Sequence, residues 1–217
     1  MKVAELVSRV RRLLQDAAAY RWDDTTLLDC YNEALLWVVQ QRPDANSAVV
    51  SFDCEQQSQQ DKPAGAYRIL GPVANDDTGR VIQTISMDDL TAIDSNWSQT
   101  PFGGFGNYVE YMVYDERTPD VFWLYPYPNV SHTVTLQVSR EPSTVTDAAA
   151  NDIEIPLIHL NALKHSMMAF AYLTDGETEG NLMQAQNYLK LAANDLGLKW
   201  NIDLMFSRPI TGDSNKG

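Results

Sequence analysis

The chain reads as an α+β protein, a four-helix bundle made of N- and C-terminal helical hairpins with an antiparallel β-rich segment inserted between them. Three observations predict this. Apolar residues recur three and four apart at both ends of the chain, and the period shortens to two between Ala48 and Arg140. No internal repeat is visible beyond the two hairpins. With 217 residues, one sizeable domain with its own core is expected.

Val3, Leu6, Val7, Val10, Leu13, Leu14 and Ala17 make the first helical stripe, and Leu27, Leu28, Tyr31, Ala34, Leu35 and Val38 the second. Asp23 or Asp24 offers a side-chain oxygen to the free N–H groups at the start of the second helix. Pro43 has no N–H and pushes Arg42 out of the helical region, so the helix stops there. A short polar corner joins the two helices as an antiparallel hairpin spanning 1–47.

Strands are predicted at Ala48/Val50/Phe52/Cys54, Val81/Gln83/Ile85 and Val134/Leu136/Val138. Tyr108–Tyr114 and Val121–Tyr125 flank the charged, proline-containing run Asp115–Asp120, the pattern of a β-hairpin. Glu55–Gly65 reads as an exposed polar loop, Asp88–Asp94 as one or two helical turns, and Asn96–Asn107 as irregular. These elements fill the inserted segment 48–150. A second helical hairpin spans 151–198: Leu160, Leu163, Met167, Phe170 and Thr174 form one stripe, and Leu182, Ala185, Leu189, Ala192 and Leu196 the other. Gly176 and Gly197 close the two helices. A tail, 199–217, follows.

Sixteen Lys and Arg stand against 29 Asp and Glu, a formal charge of -13. This balance favours solubility and argues against a surface that wraps nucleic acid by neutralising phosphates. There is no apolar run long enough to span a bilayer and no continuous apolar core of a signal peptide, which predicts a cytosolic product without membrane association. Cys30 and Cys54 lack CxxC spacing and nearby histidines, so two free thiols are expected. The Asn96-Trp-Ser and Asn129-Val-Ser glycosylation patterns are read as coincidental.

Sites of chemistry are poorly supported. Phe102-Gly-Gly-Phe-Gly106 fits neither dinucleotide-binding nor P-loop spacing, and no lysine follows it. His159 and His165 are six apart, unlike a helical metal pair, and His132 falls in a strand or turn. The pairs Asp23-Asp24, Asp76-Asp77 and Asp88-Asp89 sit where caps and turns are expected. No G-x-S-x-G elbow accompanies the serines. The expectation is no catalytic residue, no cofactor, no metal and no enzyme. Two aromatics separated by glycines offer a large contact area once ordered, so Phe102 and Phe105, with Trp97, are predicted to touch a neighbouring subunit or a tail protein. The tail carries Trp200, Ile202, Leu204, Met205, Phe206 and Ile210, too apolar for a disordered segment. It either folds back on its own subunit or serves as a docking arm.

Leu13-Leu-Gln-Asp16, Arg21-Trp-Asp-Asp24, Asn32-Glu-Ala34 and Arg42-Pro-Asp44 resemble the opening of the head-to-tail adaptor (connector) proteins of tailed bacteriophages. Tyr114–Pro128, Ile155-Pro156, Ala171-Tyr-Leu-Thr-Asp-Gly-Glu177, Asn181 and the Tyr188 helix are similar to the same family in the same order, up to about Leu198. The resemblance implies a non-catalytic adaptor ring, commonly dodecameric, that joins the portal to the tail and extends the DNA channel in the virion neck, after assembly in the host cytoplasm. The implied partners are the portal protein, neighbouring copies, a downstream tail or nozzle protein, and genomic DNA passing without specific binding. Portal docking through Trp200, Ile202, Leu204, Met205, Phe206 and Arg208 follows from the same resemblance. The acid excess has two readings, plain solubility or a channel wall that repels phosphates. Two rival functions remain. One is a stopper or tail-terminator ring; the other is a host cytosolic module using Trp97, Phe102 and Phe105 as a binding pocket.

Overall fold

The computed structural model describes residues 1–98, 105–128, 132–175 and 179–198. In chain order its elements are α1 (Val3–Leu13), α2 (Asp24–Gln41), β1 (Ser47–Asp53), β2 (Gln59–Asp61), β3 (Ala66–Asn75), β4 (Gln83–Thr84), α3 (Met87–Ile93), β5 (Phe105–Gly106), β6 (Tyr111–Tyr114), β7 (Val121–Tyr125), β8 (Tyr127–Pro128), β9 (Thr133–Arg140), α4 (Leu160–Thr174) and α5 (Glu179–Asp195). They fall into two units, Met1–Arg42 with the chain from Ser143 onward, and Pro43–Pro142.

This is α+β, but it is not the predicted four-helix bundle of two hairpins with an inserted antiparallel segment. The described residues hold five helices, one of them (α3) inside the β-rich unit. In the helical unit, α4 is the hub. Residues Ser166 to Ala169 are buried consecutively, so it is covered on every side, and α5 and α2 pack extensively against it while α1 and α2 share little. Small side chains at Ala162, Ser166, Ala169 and Ala171 allow that close approach. Periodicity counts apolar stripes; it does not say which stripes meet.

Helix α1 ends earlier than its stripe. Gln15 and Ala19 adopt positive φ (58° and 56°), which a right-handed helix cannot contain, so the chain turns before Ala17. Leu14 is buried, whereas Leu13, expected on the same face, is 52% exposed. Helix α2 starts where expected, Asp23 accepting the Thr26 N–H at 2.7 Å, and stops at Arg42 before Pro43. Gly197, at φ 72°, closes α5 as Leu198 N–H bonds back to the Ala193 carbonyl.

The β-rich unit contains a three-stranded sheet, β1-β9-β3, a four-stranded sheet, β2-β7-β6-β4, and a two-residue ladder between β5 and β8. Two of its pairings, β4 with β6 and β5 with β8, are parallel, another departure from the predicted antiparallel segment. The β6–β7 hairpin forms as expected, Val113 opposite Trp123. Strand β9 buries Val134, Leu136 and Val138 and pairs with β1 on one side and the bulged β3 on the other. The two sheets share one apolar core, in which Phe122, Leu124, Met112 and Ile69 meet Leu136 and Val134.

Two predicted details change, and one strand, β3, was not foreseen. Glu55–Gly65 is not wholly an exposed loop: it contains β2, and Gln60 is fully buried because its amide binds Glu55 N–H, Glu55 C=O and Gln57 C=O, satisfying itself locally. The strand read at Val81/Gln83/Ile85 shrinks to two residues with the opposite phase, since Ile82 is buried and Val81 is 73% exposed. The β3 strand carries no clean alternation because bulges interrupt it three times, at Ala66/Arg68, Ile69/Gly71 and Pro72/Ala74.

Asn75 ties this unit together. Its Oδ1 accepts from Val109 N–H and His132 Nε2, both at 2.7 Å, and its Nδ2 donates to the carbonyls of Val109 (2.8 Å) and Arg80 (2.9 Å). An amide oxygen only accepts, so His132 carries its proton on Nε2. Replacing Asn75 with Ala leaves the Val109 amide and His132 Nε2 without partners in a buried site; a loss of about 3 kcal/mol is expected, read by urea unfolding.

Candidate functional site

The short strings that gave the chain its resemblance converge on a few points of the helical unit. Asp16, at the α1–α2 corner, is nearly buried and accepts the N–H groups of Tyr20 (2.9 Å), Arg21 (3.1 Å) and Trp22 (2.9 Å). Those bonds, the one from Trp22 first, hold its carboxyl below the usual carboxylate range, with Arg11 adding attraction. Arg11 spans the corner, donating to the Trp22 carbonyl at 2.7 Å and to Asp24 at 2.7 Å.

The corner thereby aims Trp22 at α4. Its indole N–H donates to the Ala171 carbonyl at 2.7 Å, and its ring meets Tyr172 edge-on at 5.5 Å. Arg21 lies over the Trp22 ring at 4.2 Å and bonds Asp175 through Nε at 2.6 Å. Tyr172 stacks on Tyr188 of α5 at 5.8 Å, and Tyr188 on His165 at 6.2 Å, whose Nδ1 is 2.7 Å from Asp195. A row of rings therefore joins the α1–α2 corner to α4 and α5, and burial raises the Tyr188 phenol. Asn181 donates to the Asp175 carbonyl, completing the contact between the ends of α4 and α5.

Other strings act the same way. Asn32 clamps Val145, donating to its carbonyl at 3.0 Å and accepting its N–H at 2.9 Å. Arg42 donates to the Leu196 carbonyl at 3.0 Å, at the end of α5 where orphan carbonyls collect. Ile155 is buried ahead of Pro156, which opens the 3-10 turn Leu157–His159. In the β-rich unit, Asp115 grips Arg117 at the hairpin tip, Arg68 pairs with Glu116, and Lys62 with Asp120 at 3.1 Å.

Of the residues predicted as subunit or tail contacts, Trp97 is half-buried just after α3, its indole donating to Thr91 Oγ1 at 3.2 Å. Phe105 contributes backbone to the β5–β8 ladder. Its neighbour Gly106 has room for no side chain, since a Cβ there would lie 2.9 Å from both Pro126 Cβ and the Tyr108 carbonyl. Phe102 lies outside the described residues, as do Trp200, Ile202, Leu204, Met205, Phe206, Ile210 and Arg208. Of the two predicted groups, Trp97 and Phe105 are the members that fall within the described residues.

The acidic pairs divide. Asp23 caps α2, and Ser86 caps α3 with Asp89 in a reciprocal box. Asp76 instead accepts from Ser51 and Thr135, linking to both β1 and β9. Asp16, Asn75 and His132 were given no role by sequence reasoning. Asn75 and His132 lie 57 residues apart and leave no local spacing to read, whereas the partners of Asp16 follow it within six residues.

Both cysteines are free and buried, and burial pushes each thiol up to about 12. Among the described residues no group of three or more His, Cys, Asp or Glu is placed to hold a metal ion, and no helix is long and apolar enough to cross a membrane.

These polar motifs brace the chain's own backbone within an α+β fold. The family model described as SU10 adaptor protein matches residues 1–212, and the chain belongs to that family of phage head–tail adaptors, structural components of the virion. No curated protein matches it.

Two outcomes follow. Asp16 has a depressed folded-state value, so its contribution is present above the ordinary value of about 3.9 and lost as pH falls through the folded value. Asp16→Asn should therefore melt lower than wild type at pH 7, with the gap closing toward pH 3. Because both thiols stay protonated near neutrality, a disulfide reagent should label Cys30 and Cys54 no faster than the units open.

Proposed function

We propose that this adaptor forms a ring in the virion neck that joins the portal to the tail and extends the DNA channel, without catalysing a reaction. The observation that carries the reading is the family match over residues 1–212, together with motif residues that stiffen the fold. A channel component must hold its shape while a duplex passes. Clamps such as Trp22 on Ala171 and Asn32 on Val145 supply such rigidity within the helical unit. The excess of 29 acidic over 16 basic residues suits a wall past which phosphates slide, because a basic wall would retain DNA by counterion release.

In this reading the free chain is monomeric or weakly associated and closes into a ring, dodecameric as is common for such adaptors, on its portal. The segment after Leu198 docks there through Trp200, Ile202, Leu204, Met205 and Phe206, with Arg208 pairing a portal carboxylate. Trp97, Phe102 and Phe105 contact a neighbouring copy or the next tail component.

The test is to mix the protein with the portal protein of the same phage and image the product. Closed rings beneath the portal are expected from the full chain; chains that neither bind the portal nor oligomerise on it overturn the reading. Truncation after Leu198 should leave circular dichroism unchanged and abolish co-sedimentation with portal rings. Full retention of binding removes the docking arm, and loss of cooperative unfolding shows instead that the segment packs on its own subunit.

A further inference from the structure

Several cations of the helical unit are matched internally: Lys2 pairs with Asp152, Arg11 with Asp24 and Arg21 with Asp175. Arg9, Arg12 and Lys164 are different. None has a carboxylate partner among the described residues, Lys164 reaching the Asn161 amide at 3.0 Å. All three line one groove of about 330 Å³ between α1 and the start of α4, whose apolar floor includes Leu13 and Leu160. Leu13 is 52% exposed, and the turn leading into α4 leaves Ile158 83% exposed. In a chain of charge -13, uncompensated cations around an apolar floor form a local inversion of sign.

The complementary surface lies on the same unit. Helix α2 contains Asp24, Asp29 and Glu33 and no cation. Asp29, Glu33 and Leu36 are exposed and spaced i, i+4, i+7, one stripe about 10 Å long. Leu36, 42% exposed, ends that stripe with an apolar knob. The groove and the stripe share no residue, so one copy can use both at once.

We infer that the Arg9/Arg12/Lys164 groove receives the Asp29–Glu33–Leu36 face of α2 from the next copy of this chain, forming a head-to-tail contact that closes by rotation. This rests on the ring reading above and names its interface. Contacts of this heterologous kind generate rings when the rotation closes. Carboxylates meet the cations, and Leu36 covers the apolar floor. Duplex DNA suits the groove less well, because phosphates have no use for an apolar floor of Leu13 and Leu160, and non-specific phosphate binding is carried by charge.

The test compares Arg9→Glu/Arg12→Glu, Asp29→Arg/Glu33→Arg and the combined fourfold variant, each assembled on the portal of the same phage and counted by electron microscopy, with thermal melts confirming the fold. Each double variant should give more than about tenfold fewer closed rings, and the fourfold variant should recover them, since the charges are exchanged across the contact. Should a double variant melt below its assembly temperature, Arg9→Gln/Arg12→Gln is expected to give the same loss in milder form. Wild-type ring yield from Arg9→Glu/Arg12→Glu overturns the inference while leaving the adaptor reading intact. So does failure of the folded fourfold variant to recover. If the double variant assembles normally but loses duplex retention in a gel shift, the groove is a DNA contact instead. No rings from wild type on its portal sinks the adaptor-ring reading and this interface with it.

Discussion

The hydrogen bond from the Trp22 indole to the Ala171 carbonyl joins residues 149 positions apart, and most of the helical unit depends on its being made. Ala171 lies in the last turn of α4, where carbonyls lack a partner within the helix, and a donor at 2.7 Å requires the indole to be delivered at the right height and angle. The Asp16 corner does this. Three N–H groups converge on one carboxylate and fix the backbone of residues 20–22, while Arg11 holds the outer side of the same turn. Once Trp22 is seated, Arg21 lies over it and Asp175, and Tyr172 and Tyr188 complete the row across α4 and α5.

The same device recurs with amides. Asn32 bridges 113 residues to Val145, and Asn75 joins the end of β3 to Val109 and His132. A primary amide offers donor and acceptor together, so it can replace both partners of an interrupted backbone ladder at one point. Where the chain must cross without forming a strand, as at Val145 and Val109, such a residue satisfies buried peptide groups that water cannot reach. A leucine of similar volume in either place would strand two peptide groups.

These clamps explain why the residues that mark the family are poor in chemistry. They face inward or along the chain, whereas the surface is left to charge. Arg11, Arg21 and Lys62 are each paired with a carboxylate, and the groove flanked by Arg9 and Arg12 departs from that pattern. A chain that assembled with its own copies, as proposed above, would need an inward-looking set of bonds to be rigid and an outward-looking set to be specific.

Much of the secondary structure was legible in the linear pattern. Asp23 and Pro43 bound α2 because capping and the missing proline N–H are local effects, and alternation in Thr133–Arg140 marked β9 because one face of a strand meets a core. The free thiols and the hairpin at Asp115–Asp120 were equally local. The arrangement was not. Which helix takes the centre was decided by α4's small residues and all-round burial, which put it against both α2 and α5; the parallel ladders and the buried Gln60 turn depend on chain segments that meet only after folding. By itself, the sequence determined the bounds of α2, the strand β9, the β6–β7 hairpin and the strings that carry the family resemblance. Only the tertiary structure showed that those strings are clamps, because a hydrogen bond across 149 residues has no period in one dimension.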